Sequence, residues 1–271
     1  MKNTIVVDSM TIAITVTGHG PRAVIFVHGN SASKAVFKKQ FNDKFLSSHT
    51  LIGIDLPGHG ESDNALNPTV NYTIRNFAAV VINVIAQLKL TDYIIVGWSL
   101  GGHIAIETLQ QGLTPKAIVI CGTPPVSTNP DELGIAFKPT DVMELTGKES
   151  FNFDEVSAYG SAIMGGVNHT SPQILENVAR TDGKMRSCVL ADFGQNLGYY
   201  RQREIVETTL VPIAVFQGNN DVFVSNEYLN SIKWRSLWRH EINYFENIGH
   251  APFWESPNEF NQRLNELIDS V

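Results

Sequence analysis

Apolar residues along this chain fall into two rhythms, and the switching between them predicts the fold. Short apolar, β-branched runs recur at Ala23–Val27, Leu51–Ile54, Tyr93–Val96, Lys116–Ile120 and Val211–Phe216. Runs of that kind fit strands buried on both faces of a sheet. Between them, Phe77, Val80, Val81, Val84 and Leu88 repeat at helical spacing across 73–88, which predicts an amphipathic helix. Further helices are expected over 36–46, 100–111, 226–233 and 257–269, and a further strand over 241–245. Residues 4–7 and 10–16 read as a hairpin turning near Asp8-Ser9. The rhythm breaks over 124–206, a stretch richer in polar residues, glycine and helix formers. Strands alternating with helices predict an α/β fold with a mostly parallel central sheet flanked by helices. The expected division is a core of 1–123 and 207–271 carrying an inserted helical cap at 124–206.

In such sheets ligands gather beyond the carboxyl ends of the strands, so chemistry is sought in the loops that follow each run. Gly97-Trp98-Ser99-Leu100-Gly101 lies between a buried strand and a helix. That is the setting of a nucleophile elbow, a turn so tight that only glycine fits on either side of the serine. Its hydroxyl would sit at a helix N-terminus, where negative charge is stabilised. An acid and a base should follow in the order Ser, Asp or Glu, His. Asp221 stands just after the run 211–216, and His250 just after the strand expected over 241–245. Asp221 would fix the imidazole tautomer and stabilise the imidazolium. Glu227 and Glu246 are reserve acids, expected at or within elements and solvated.

An oxyanion needs two preorganised N–H donors. His28-Gly29-Asn30 follows the strand at 23–27, so the backbone N–H groups of Asn30 and Leu100 are the expected pair. His28 reads as a support of that loop, and His103, one helical turn past Ser99, as a hydrogen-bonded core histidine. Leu56-Pro57-Gly58-His59-Gly60-Glu61-Ser62 reads as a tight structural loop walling the site.

Composition narrows the function. A net charge of -7 disfavours a nucleic-acid partner. No apolar run reaches the roughly 18 residues of a membrane span. The N-terminus runs directly into alternating residues with no signal-peptide core, and Cys121 and Cys188 form no disulfide framework. A cytoplasmic location is expected. The eight histidines show neither HxHxDH nor HExxH spacing, so no metal and no cofactor is expected.

These motifs together resemble the α/β-hydrolase superfamily along essentially the whole chain. Closer still, His28-Gly29-Asn30-Ser31, Gly97-Trp98-Ser99-Leu100-Gly101-Gly102-His103-Ile104, Gly122-Thr123-Pro124-Pro125-Val126 and Gly249-His250-Ala251-Pro252-Phe253 resemble the metal-independent N-acyl-homoserine lactone lactonases of that fold. The resemblance implies a quorum-quenching hydrolase with Asn30 in the oxyanion region. It also implies a cap tyrosine that positions lactone or water, best matched by Tyr159. In the cap, Phe137, Met143, Leu145, Phe151, Phe153, Ile163 and Met164 offer apolar surface for an acyl chain. Trp98, Phe137, Phe151, Tyr159 and Phe253 are the expected substrate-binding side chains. The substrate is a small lactone or ester. A carboxylesterase for another ester is the alternative, and a small-molecule receptor on the same fold a third reading.

Overall fold

The computed structural model describes residues 2–127, 129, 131–195 and 201–271. Eight strands form one sheet: β1 (Lys2–Val7), β2 (Met10–Gly18), β3 (Ala23–Val27), β4 (Thr50–Ile54), β5 (Tyr93–Trp98), β6 (Ala117–Cys121), β7 (Ile213–Gly218) and β8 (Asn243–Phe245). Their order across the sheet is β1-β2-β4-β3-β5-β6-β7-β8. β1 pairs antiparallel with β2, and β2 with β4; all the other pairs are parallel. The hairpin turns on Asp8 and Ser9, with φ of 47° and 66°. Two consecutive left-handed residues match the right-handed twist of the flanking strands.

Every residue of β3, β5, β6 and β7 is buried. Helices cover such strands on both sides, which is why their sequences carry no polar alternation. The main helices are α1 (Ile74–Gln87), α2 (Leu100–Gln110), α3 (Asp131–Ala136), α4 (Phe153–Ile163), α5 (Pro172–Arg180), α6 (Gly183–Gln195), α7 (Gln202–Thr208), α8 (Asn226–Ser231) and α9 (Pro257–Ser270). α1 buries Phe77, Val80, Val81 and Val84, and begins at Thr73, whose hydroxyl accepts from Asn76 N–H at 3.1 Å. α9 buries Phe260, Leu264, Leu267 and Ile268 on one stripe.

The helix expected over 36–46 is instead three short turns, Lys34–Phe37, Lys38–Phe41 and Leu46–Ser48. Asp43 breaks it: its carboxylate accepts from the N–H groups of Phe45 and Leu46 at 2.9 and 3.0 Å, an alternative to the helical ladder.

Between β6 and β7 the chain leaves the sheet and runs through α3 to α7. Thr128, Pro130 and 196–200, within the range expected for a cap, lie outside the described residues. α4 starts with a capping box between Asn152 and Glu155. α7 belongs with the core side, since Gln202 is bonded to His103 of α2, so the boundary expected at 206/207 falls inside a helix. Phe137, just past α3, forms an antiparallel bridge with Val224. That bridge ties the insertion to the loop that follows β7.

The strand order reverses between β3 and β5. The chain goes from β3 to β4 on one side and then to β5 on the other. A crevice opens at such a switch point, beyond the carboxyl ends of the two strands. Val27 is in register with Gly97, so the residues that follow them meet there.

Candidate active site

Ser99 is the single residue between β5 and α2, with φ 53° and ψ −118°. A side chain in that region of backbone space stores about 1–3 kcal/mol of strain. The turn leaves no alternative. A Cβ on Gly97 would lie 2.2 Å from the carbonyl oxygen of Gly101, and one on Gly101 2.1 Å from that of Val27. The backbone is pinned by Ser99 N–H to the Cys121 carbonyl at 2.7 Å and by the Thr123 hydroxyl to the Ser99 carbonyl at 2.9 Å. The elbow context read from the sequence is therefore present in full.

His250 and Asp221 meet across two loops. Nδ1 of His250 lies 2.8 Å from Oδ2 of Asp221, and both residues are buried. The same carboxylate accepts from the N–H groups of Phe223 and Val224 at 2.8 and 3.2 Å, and from Gln217 Nε2 at 3.0 Å. Burial pushes the Asp221 carboxyl up, but the neighbouring His250, its hydrogen bond and those of Phe223 and Gln217 hold it below its ordinary value. An ionised carboxylate at Nδ1 leaves Nε2 as the basic nitrogen of the ring. Glu227 lies in the first turn of α8, and the Glu246 carboxylate accepts from Asn219 at 2.6 Å; neither is bonded to His250.

The loop after β3 lies against the elbow: a Cβ on Gly29 would be 3.0 Å from the Cβ of Ser99. Leu100 N–H opens α2 and so has no intrahelical acceptor. Neither it nor Asn30 N–H donates to another group among the described residues. The Asn30 side chain is occupied: Nδ2 donates to the Thr146 carbonyl at 2.9 Å, and Oδ1 accepts from the Ser31 hydroxyl at 3.0 Å. Ser31 itself is left-handed, φ 55°, and its N–H donates to Nε2 of His59 at 3.3 Å. His28 accepts from Leu56 N–H at Nε2, 3.1 Å, while its Nδ1 faces the Gly29 carbonyl at 2.7 Å. Burial lowers the pKa of both imidazoles. His28 and the loop 56–62 thus brace the segment around Asn30, but from behind; the loop does not border the cavity.

Over these groups lies a cavity of about 710 Å³, bordered by Asn30, Ser99, Leu100 and His250 from the sheet side. Phe137, Tyr159, Ile163 and Phe193 close it from the insertion. Tyr159 is buried, and its hydroxyl is bonded to no group among the described residues. Burial raises its pKa, with Arg186 nearby pulling the other way.

Three of the expected substrate-binding side chains stand elsewhere. Trp98 is buried beneath the His250 loop, where its indole N–H donates to the His250 carbonyl at 2.9 Å. Neighbouring strand residues face opposite sides, so adjacency to Ser99 does not bring Trp98 to the cavity. Phe253 is fully buried against Trp98 and Phe37, with ring centroids 5.0 and 4.8 Å away. Phe151 stands behind Tyr159, at 5.5 Å, with the Arg186 guanidinium 4.1 Å from its ring. Of the other apolar cap residues, Phe153 is 83% exposed, while Leu145 and Met164 pack away from the cavity.

Sequence reading missed the groups that hold this site from a distance. Glu255 accepts from Gly249 and Ala251 N–H at 2.9 and 3.0 Å, bracketing His250. Lys138 Nζ donates to the Asp221 carbonyl at 2.6 Å. Arg186 donates to the carbonyls of Lys148 and Glu149 and to the Ser31 hydroxyl. Glu255 carries a faint signal, four residues past Ala251 on a turn starting with proline; the two cations carry none.

Among the described residues, no three His, Cys, Asp or Glu side chains are grouped to hold a metal ion, and no helix is long and apolar enough to cross a membrane. The site's frame recurs in known proteins. N-acyl homoserine lactonase AidH, solved with N-butanoyl homoserine, has a TM-score of 0.94 and 34% identity over 99% of this chain and 96% of that one. An esterase from Rhodococcus sp. ECU1013 shares the fold at a TM-score of 0.78 and 22% identity, covering 100% of this chain and 98% of that one. AB hydrolase superfamily protein YisY from Bacillus subtilis is 25% identical over 269 residues, 97% of each chain. The resemblance to the lactonases, first carried by four short motifs, extends over the whole chain. The model of the alpha/beta hydrolase fold family matches residues 22–257, and the chain belongs to that family.

Proposed function

We propose that this protein opens the lactone ring of N-acyl-homoserine lactones, with Ser99 as nucleophile, His250 as general base and Asp221 as the acid that orients it. The observation that carries the reading is the buried Asp221–His250 pair, bordering the same apolar cavity as a strained serine. Likeness at 34% identity to a lactonase supports the substrate class.

His250 Nε2 takes the Ser99 proton as the hydroxyl oxygen attacks the ring carbonyl. The oxyanion rests on Asn30 and Leu100 N–H. Collapse of the tetrahedral intermediate breaks the ring ester bond, and the imidazolium returns its proton to the leaving alkoxide. The alcohol stays tethered to the acyl group. Water activated by His250 then releases the N-acyl homoserine and frees Ser99. Tyr159, with its hydroxyl unoccupied beside the site, donates to the lactone or to water. The insertion ahead of α7 acts as the cap that binds the acyl chain, through Phe137 and its neighbours rather than through Trp98, Phe151 or Phe253.

The test is a comparison of kcat/KM for N-acyl-homoserine lactones and for p-nitrophenyl esters of equal acyl length. A simple serine esterase prefers the activated ester, which has the better leaving group. Preference for the lactone requires contacts to the ring and its amide. Turnover of aryl esters with inert lactones would replace this reading with a carboxylesterase, and turnover of neither would point to a receptor.

A further inference from the structure

Polar side chains border the cavity at several places, Lys138, Thr140, Asp141 and Glu144 among them, and His103 does so from within an aromatic wall. His103 of α2 borders the cavity and is 6% exposed, its ring packed at 4.9 Å from Phe193 and 6.1 Å from Phe137. Its Nδ1 lies 2.7 Å from Oε1 of the fully buried Gln202. An amide oxygen only accepts, so Nδ1 carries the proton. The amide cannot be reversed without cost, because Gln202 Nε2 points to the His103 carbonyl at 3.5 Å and a flip would set oxygen against oxygen. Burial drives the imidazole down to about 4, against the pull of the Gln202 bond, so the ring is neutral near neutral pH. With one proton, fixed on Nδ1, Nε2 is left as a bare acceptor. The hydrogen bond that the ring makes among the described residues is the one at Nδ1.

We infer that His103 selects the acyl chain of the substrate, favouring a chain that carries a hydroxyl near its carbonyl end over one that carries a ketone at the same carbon. The inference rests on the acyl-transfer reading of this site. A hydroxyl donates to Nε2 and replaces the water that an acceptor in such a pocket otherwise holds. A ketone brings lone pairs against a lone pair, and a plain methylene displaces the water while giving nothing back. The reach is short. His103 N–H is 3.3 Å from the Ser99 carbonyl, one helical turn along α2, about 6 Å of rise. The group it meets therefore belongs to the first few carbons beyond the reacting carbonyl. Gln202 acts at one remove, by fixing the tautomer.

The experiment is kcat/KM on hexanoyl, 3-hydroxyhexanoyl and 3-oxohexanoyl homoserine lactones, for wild type, His103→Leu and Gln202→Leu. The wild type should prefer the hydroxy over the oxo chain by about tenfold, the size of one neutral hydrogen bond made against one refused. His103→Leu should bring that ratio to about one. Gln202→Leu frees Nδ1, lets the proton move to Nε2, and should lower or invert the ratio. A wild-type ratio of one or less overturns the inference, and so does a ratio that survives both substitutions. If His103→Leu does not fold, Gln202→Leu decides. If lactones are inert and aryl esters are not, the lactonase reading fails, and the same ratio on p-nitrophenyl esters of the three acids still judges His103. If neither is turned over, the ¹⁵N spectrum of the His103 ring decides: a protonated Nε2 overturns the inference, and a bare one supports it.

Discussion

Strain at one residue and charge at another set the expectations for substitution. Ser99 holds a backbone conformation that only glycine adopts without cost. Ser99→Ala should lower kcat by roughly 10⁴–10⁶ with the fold intact, and a serine-directed phosphonate should label Ser99 alone. Retention of a tenth of the rate would remove Ser99 from the mechanism. Ser99→Gly should be as inactive as Ser99→Ala, yet more stable than it by about 1 kcal/mol, because the strain is relieved. Urea unfolding of the pair checks this; equal midpoints would mean that the elbow stores no strain worth measuring. Asp221→Asn should cost roughly 10⁴ in rate by presenting the wrong tautomer, whereas Glu246→Gln, which disturbs only the bond to Asn219, should leave the rate near wild type. Tyr159→Phe removes one donor and should cost about 10–10³-fold. A rate unchanged by that substitution would leave Tyr159 a packing residue.

At the scale of elements, what the sequence disclosed and what it withheld have physical reasons. Strands β3, β5 and β6 were readable because burial on both faces removes every polar residue. The meeting of Ser99, Asp221 and His250 at one edge was readable because a parallel sheet delivers its loops there. The broken helix over 36–46 was not, since Asp43 captures its own turn where the apolar spacing continues. Nor were the roles of Trp98 and Phe253, since hydrophobicity tells that a ring is buried and not which surface it is buried against. Least legible was the tie between insertion and sheet. Arg186 of α6 is 3% exposed and donates to the Lys148 and Glu149 carbonyls at 2.6 and 2.7 Å and to the Ser31 hydroxyl at 3.3 Å. Burial lowers its pKa, against the pull of Tyr159 and of Asp182 and Glu149. Arg186→Met keeps the length and loses the donors. It should destabilise the fold by about 2 kcal/mol, since the part-buried carbonyls of Lys148 and Glu149 lose charged partners, and it should slow turnover through the Ser31–Asn30 contact. A urea midpoint equal to wild type would mean that burying the charge costs as much as its bonds return.

Over the whole molecule, buried titratable groups make stability depend on pH, and their signs compete. His28, His59 and His103 are buried, and burial lowers all three imidazoles, His103 to about 4. Each is neutral in the fold and takes a proton more readily when unfolded. Below the unfolded value of about 6.5 the unfolded chain binds more protons, so stability falls as pH falls. For His103 alone the loss reaches about 2 kcal/mol at pH 5 and levels off below its folded value. Glu107 opposes this. It is fully buried on α2, and burial raises its carboxyl to about 7, so the fold holds a proton that the unfolded chain has released. Its contribution weakens as pH rises from the ordinary carboxylate range to about 7 and returns on acidification. Asp221, held below its ordinary value, is stabilising above the unfolded carboxylate range and loses that only as pH falls through its depressed value, below this window. Three histidines against one carboxyl leave a net loss between pH 7 and pH 5. Urea midpoints at the two values should therefore drop on acidification while the far-ultraviolet circular dichroism of the native state is unchanged. Glu107→Gln deletes the opposing group, so the drop from pH 7 to pH 5 should be steeper in that variant than in wild type. A midpoint that holds or rises on acidification, in both proteins, would mean that the buried imidazoles already carry protons in the fold, and His103 would then have no bare nitrogen to offer a substrate.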